Sequence, residues 1–276
     1  MSFTLYLLLL RMARGNTIAW AVIIDLWAIL VVIIYPSVAQ MGQEILGFTK
    51  SMPEGMKAAI GLGTPEEVAL TLNEGVFTLP GYLHIEYLSW LPLIVGIYAV
   101  VYCGGLISKE VERGTLDTLL SQPLKRHSFL LTKFLAFSSQ ITLILFTSFL
   151  TIDLGAFVTG ETIDTGNLIL VHLTILLVVL SIAGYSTLAS CLFLDPSRAL
   201  TLAGIITALS YFSNILGEAV SGIGWLKYYS LFHYFDSLEI IAKGTINGYG
   251  ILLYLTILFG TIVSSLWIFS KKDITN

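Results

Sequence analysis

The densest set of reactive side chains runs from Lys109 to Arg126: Lys-Glu-Val-Glu-Arg-Gly-Thr-Leu-Asp-Thr-Leu-Leu-Ser-Gln-Pro-Leu-Lys-Arg. It interrupts two long apolar runs with the acidic pair Glu110 and Glu112, the basic Arg113, and two backbone punctuators, Gly114 and Pro123. It offers no nucleophile–base–acid set, so the chemistry it suits is recognition. Gly114 should end the helix that carries Glu110 and Glu112 out of the preceding apolar run. Thr115 can then cap a new helix, with Asp117 in its first turn favoured by the helix dipole. Pro123 disfavours helical geometry at Gln122 and closes it. The spacing predicts a short helix over about residues 116–121, with Leu116, Leu119 and Leu120 on one face. An apolar face beside charges is what a protein partner binds. The plain alternative is a solvated loop that happens to be amphipathic.

Other polar residues are scattered. Asp25 lies roughly 9 Å into its apolar run, at 1.5 Å per residue. A charge there faces a partner, a subunit contact or a water-filled path, or else pairs locally. Asp153 and Glu218 belong near the outer ends of their helices, in interfacial roles, and His172 near the start of its run reads the same way. His84, His127 and His233 are too dispersed to form a metal site. Cys103 and Cys191 sit inside apolar runs and read as reduced packing residues. Gly104-Gly105, Gly184 and Gly204 are small residues that let helices approach closely, with a hinge as the lesser reading. The chain has no Gly-Lys-Ser or Gly-Lys-Thr, hence no phosphate-cradling loop.

The elements that must position these residues follow from composition. Of 276 residues, 56% are hydrophobic and 12% charged, and the mean hydropathy is +0.86. A soluble domain carries about 25% charged residues, so this chain lacks the polar surface to coat a water-soluble particle. The reading is an all-α integral membrane protein forming one transmembrane domain over 1–276. Six stretches reach the roughly 20 apolar residues that a spanning helix needs: 19–38, 87–107, 134–158, 168–194, 199–220 and 249–270. Ten of the fourteen basic residues fall on one side of these spans. By the positive-inside rule both termini and the 109–126 island are cytoplasmic.

Residues 3–10, followed by Arg11 and Arg14, are too short to span and suit an interfacial helix. A rival reading makes the first span a cleaved signal ending at Ser37-Val38-Ala39, against which stand its length and Asp25. Residues 39–86 read as an external loop. The pairs Ser51/Glu54 and Thr64/Glu67 match capping boxes, so two short helices are expected there. Between 221 and 248 lie Trp225, Tyr228, Tyr229, Phe232, Tyr234 and Phe235, an aromatic density that favours the outer membrane interface. Ser230 could cap a short helix ending at Gly244.

The 110–126 wording, followed by Leu-Leu-Thr-Lys-Phe, resembles the signature of the type-2 ABC transporter permease family. That family shows an acidic pair, Arg-Gly-Thr-Leu, a Leu-Leu pair, Pro and a basic residue, then a Lys opening the third span. Arg11 to Trp20, Tyr35-Pro36-Ser37, Pro53-Glu54-Gly55 and residues 269–274 look similar too. The resemblance covers nearly the whole chain, but only the 110–126 motif is specific. It implies six spans, an N-terminal interfacial helix, a cytoplasmic coupling helix between spans two and three, and external helices. It also implies a second permease subunit, as homo- or heterodimer, and two copies of a separate ATPase that holds ATP and Mg. This chain would bind no cofactor and do no catalysis. Glu110, Glu112, Arg113, Gly114, Thr115, Leu116, Asp117, Leu119, Leu120 and Pro123 would form the coupling contact. The long first external loop departs from the family pattern and leaves its own role open.

The expected function is the permease subunit of an ATP-driven exporter in the cytoplasmic membrane of a prokaryote, with no nucleic-acid partner. One alternative is a mechanotransmission or assembly subunit that pulls on an external partner through residues 40–86 without passing a solute. Another is an ion-coupled secondary transporter, for which Asp25 is the main support.

Overall fold

Apolar runs of this length must hide their backbone polar groups from lipid, and a helix does so within one segment. The computed structural model describes residues 3–51, 77–114, 125–193 and 195–272. Every regular element among them is helical. Six stretches are long and apolar enough to cross a membrane: Phe3–Gly42, Leu79–Glu112, Arg126–Thr159, Thr165–Leu192, Pro196–Ala219 and Gly248–Lys271. They match the six expected spans, with spans four and five ending one or two residues earlier than expected, and the chain is an all-α membrane protein.

Span one differs from its expected form. Phe3–Ser51 is one continuous helix, Pro36 included. No break separates an interfacial helix from the span. Arg11 and Arg14 are good helix formers and point outward, so they interrupt the apolar run without interrupting the helix. At about 1.5 Å per residue the helix is roughly 74 Å long, more than twice a hydrocarbon core of about 30 Å.

Span two is assembled from pieces. Leu79–Leu83 starts eight residues before the expected boundary, with the Thr78 side chain accepting from Gly81 N and Pro80 in the first turn. A π turn follows at His84–Leu88. It shifts the helical phase so that Tyr87, Leu88 and Leu91 are all fully buried. The helix Leu91–Cys103 then stops, Gly104–Ile107 form turns, and a short helix Ser108–Glu112 completes the span. The expected external stretch 39–86 is therefore shorter at both ends. The two helices expected within it fall on residues 52–76, outside the described residues.

Span four is the hub: it packs on spans two, three, five and six, while span one lies chiefly on span three. In lipid, close packing and hydrogen bonding replace the hydrophobic effect as the source of association, which favours small and hydroxyl-bearing residues at helix seams. Span four supplies them. A Cβ added at Gly184 would collide with Thr261 Oγ1 of span six, and Ser181 donates to the Tyr254 carbonyl at 2.9 Å. Gly104 packs similarly on span five, where an added Cβ would meet Leu200 at 3.0 Å. Gly204 does not: it faces open space, contrary to the close-packing expectation. Spans one, two and three are joined through Gln140, whose Oε1 accepts from Thr17 at 3.2 Å and Tyr98 at 3.1 Å.

After span five the chain makes two 3-10 segments, Ser221–Tyr229 and Phe232–Tyr234, then a helix Ser237–Lys243. Trp225, Tyr228 and Tyr229 are exposed, as an interfacial aromatic segment requires. Gly244 ends the last helix at φ +69°, as expected. Its cap is Asp236, which accepts from Glu239 N at 3.0 Å, and not Ser230. Ser230 Oγ instead accepts from Phe232 N in the preceding turn.

Candidate functional site

At the basic end of the bundle, spans two and three flank the charged island and are tied to each other and to spans four and six by polar links. Span two has lost its helical ladder at Gly104–Ile107, which frees backbone donors in an apolar setting where each unmet group is costly. Ser190 of span four meets two of them: its Oγ accepts from Ile107 N at 3.0 Å and Ser108 N at 3.1 Å. The break is thus built into the packing.

Beyond it, Glu110 turns inward. Its Oε1 lies 2.6 Å from Lys133 Nζ, and Lys133 also donates to the Leu106 carbonyl at 2.8 Å. The ammonium sits 5.1 Å from the centre of the Phe129 ring. Lys133 is 7% exposed and lies within the third span's helix, Arg126–Thr159, not in the loop before it. A buried cation needs a partner, and Glu110 supplies it. Glu112, Arg113 and Gly114 are exposed. Gly114 terminates the short helix at φ +65°, the left-handed region that favours glycine. Among the expected coupling residues the structure therefore separates an inward anchor, Glu110, from an outward group of three. Thr115, Leu116, Asp117, Leu119, Leu120 and Pro123, with the helix expected at 116–121, lie outside the described residues.

Sequence reasoning misses three residues here. It sets Lys133 at the opening of span three as one of the flanking charges, with nothing in the residue types to mark it as half of a buried ion pair. Arg126 opens span three and donates to the Lys272 carbonyl at 2.7 Å and more weakly to that of Phe269 at 3.4 Å. Lys272 in turn donates to the Cys191 carbonyl at 3.0 Å and to that of Leu192, the last residues of span four. These carbonyls are orphaned by helix termination, and a cation there also suits the dipole. No sequence signal pairs Lys272 with a residue 81 positions away.

Asp25 lies at the seam between spans one and three, beside Thr147 and Thr151, and its Oδ1 is buried without a hydrogen bond. Near it, Tyr87 shares a 2.7 Å hydrogen bond with Ser148, and Ser148 contacts His172 Nε2 at 3.1 Å. His172 Nδ1 donates to the Leu168 carbonyl at 2.8 Å, which leaves Nε2 to accept from Ser148. His172 is therefore buried against its neighbouring helices and hydrogen-bonded at both ring nitrogens. Asp153 accepts from Thr165 at 2.8 Å, and Glu218 is exposed. Both cysteines are free and buried.

A bundle of six apolar helices, hydrogen-bonded internally, defines an integral membrane protein. The chain belongs to the ABC-2 family transporter proteins, whose family model matches residues 23–274. It is the membrane permease subunit of an ABC transporter. No curated protein and no solved structure matches it.

Proposed function

We propose that this permease works as an exporter in the cytoplasmic membrane. In this reading the basic end faces the cytoplasm, two ATPase subunits dock there, and a second permease subunit completes the bundle. The ATPases hold ATP and Mg. Their closure pushes on residues 110–123, and the push reaches spans two and three. The observation that carries this reading is the Glu110–Lys133 pair, which ties one end of the charged island to span three at 2.6 Å. An island fastened in this way can pass on a load that a free loop would dissipate. Glu112→Ala and Leu119→Asp are expected to lower co-purification of the ATPase subunit, with affinity falling about tenfold for each 1.4 kcal/mol of binding free energy removed, while leaving the bundle folded. Unchanged co-purification in both would remove the coupling role.

A second reading, mechanical action on an external partner without solute passage, is favoured by one observation: span one continues to Ser51, well beyond the length a bilayer needs. Deleting residues 52–76 separates the two. Export survives if the permease reading holds and the segment is accessory. It disappears, with ATPase association intact, if the segment is the working part.

A further inference from the structure

The basic end has a small core of its own, which meets the main core at Tyr102. Leu106 and Ile107 of span two, Phe129 and Leu130 of span three, Cys191 of span four and Phe269 of span six form a buried cluster distinct from the main core. Polar links close the same tier: Glu110 to Lys133, Arg126 to the end of span six, and Lys272 to the end of span four. Lys272 is held twice. Its backbone carbonyl accepts from Arg126, and its side chain donates to Cys191 and Leu192. One residue therefore joins the first turn of span three to the last turn of span four.

We propose that these four helix ends move as one transmission tier, and that Lys272 is the positioning residue that brings span four into it. The inference deepens the coupling reading and rests on it. Load arriving at Lys125 meets Arg126 next in the chain, then Lys272, then the carbonyl end of span four. Span four packs against four other spans, so displacement of its end is distributed through the main core. Span two does not oppose the motion, because its helix is interrupted at Gly104–Ile107, where it enters the tier. Ser190 holds the start of the short helix that carries Glu110, through Ile107 N and Ser108 N, so that helix follows span four. Arg198, by contrast, pairs at the surface with Asp195 and takes no part.

The test uses the full chain co-purified with its ATPase subunit in lipid nanodiscs. Hydrogen exchange is followed over residues 186–193, without nucleotide and with a non-hydrolysable ATP analogue. In the wild type the analogue changes exchange at these amides. In Lys272→Met the ATPase subunit still co-purifies, and basal exchange rises roughly five-fold as the helix end loses its cap. The nucleotide-dependent change disappears, and Lys272→Arg restores it. Arg126→Gln, which leaves the Lys272 side chain and its acceptors intact, gives the same loss and covers the case in which Lys272→Met fails to fold. A purely structural cap would raise basal exchange yet leave the nucleotide response at wild-type amplitude, and that result overturns the inference. If the ATPase subunit does not co-purify with the wild type, the coupling reading itself fails and takes the tier with it.

Discussion

Replacing Glu110 by Gln keeps the side-chain volume and one acceptor but removes the charge facing Lys133. The ammonium is then left with the Leu106 carbonyl and the Phe129 ring. Lys133 is only 7% exposed, so water cannot readily replace the carboxylate. Removing one member of a buried pair costs about 3–5 kcal/mol when the survivor stays unpaired. The Glu110 side chain is 22% exposed and the site is not fully dry, so the lower end, about 3 kcal/mol, is expected. The converse change, Lys133→Met, should cost less, about 1–2 kcal/mol, because water can reach the abandoned carboxylate. The double variant should be more stable, by at least about 2 kcal/mol, than the sum of the single effects implies. The assay is a double-mutant cycle of unfolding free energies, measured by denaturant titration in mixed micelles. Equal single costs would refute the asymmetric burial argument, and a double variant equal to their sum would show that the pair carries no coupling.

Ser190→Ala strands the Ile107 and Ser108 amides, and a loss of about 2 kcal/mol is expected in the same titration; Ala tolerated at no cost would mean the span-two break is satisfied in another way. Gly184→Val drives a side chain into Thr261 and should destabilise by roughly 1–3 kcal/mol, whereas Gly204→Val, facing open space, should be neutral in the isolated chain. Asp236→Ala removes the cap of Ser237–Lys243 and should cost about 1 kcal/mol, read as faster hydrogen exchange over that helix alone.

The spans are legible in the sequence because lipid makes a crude demand: a run of apolar residues about 20 long has few other uses. What escapes is local or long-range. The early start of span two is written in Thr78 and Pro80, a cap and a first-turn proline, but His84 and Glu86 hide it by lowering the apolar count. The unbroken span one is hard to read because Arg11 and Arg14 look like a boundary in a hydropathy count, although both continue a helix readily. At the candidate site, Gly114 and the helix end before it are visible from residue type. The inward turn of Glu110 is not, because Lys133 looks like any flanking charge until span three is seen to enclose it. Asp236 displaces Ser230 as a cap for a similar reason: either residue type can cap, and only the chain path decides which does. The links from Arg126 to Lys272 and on to span four depend on helix ends meeting in space, for which one chain offers no periodic cue.

Span one finds its main neighbour in span three, a partner that the ribosome makes last of the first three spans. During synthesis the leading helix must therefore wait in the bilayer with Asp25 unaccompanied, since Thr147 and Thr151 do not yet exist. An aspartate at mid-helix raises the insertion cost by about 3 kcal/mol, which the surrounding isoleucines, leucines and valines must outweigh before any tertiary packing is available. The order of assembly thus places a lower limit on how greasy the first helix has to be, independent of anything the finished transporter does.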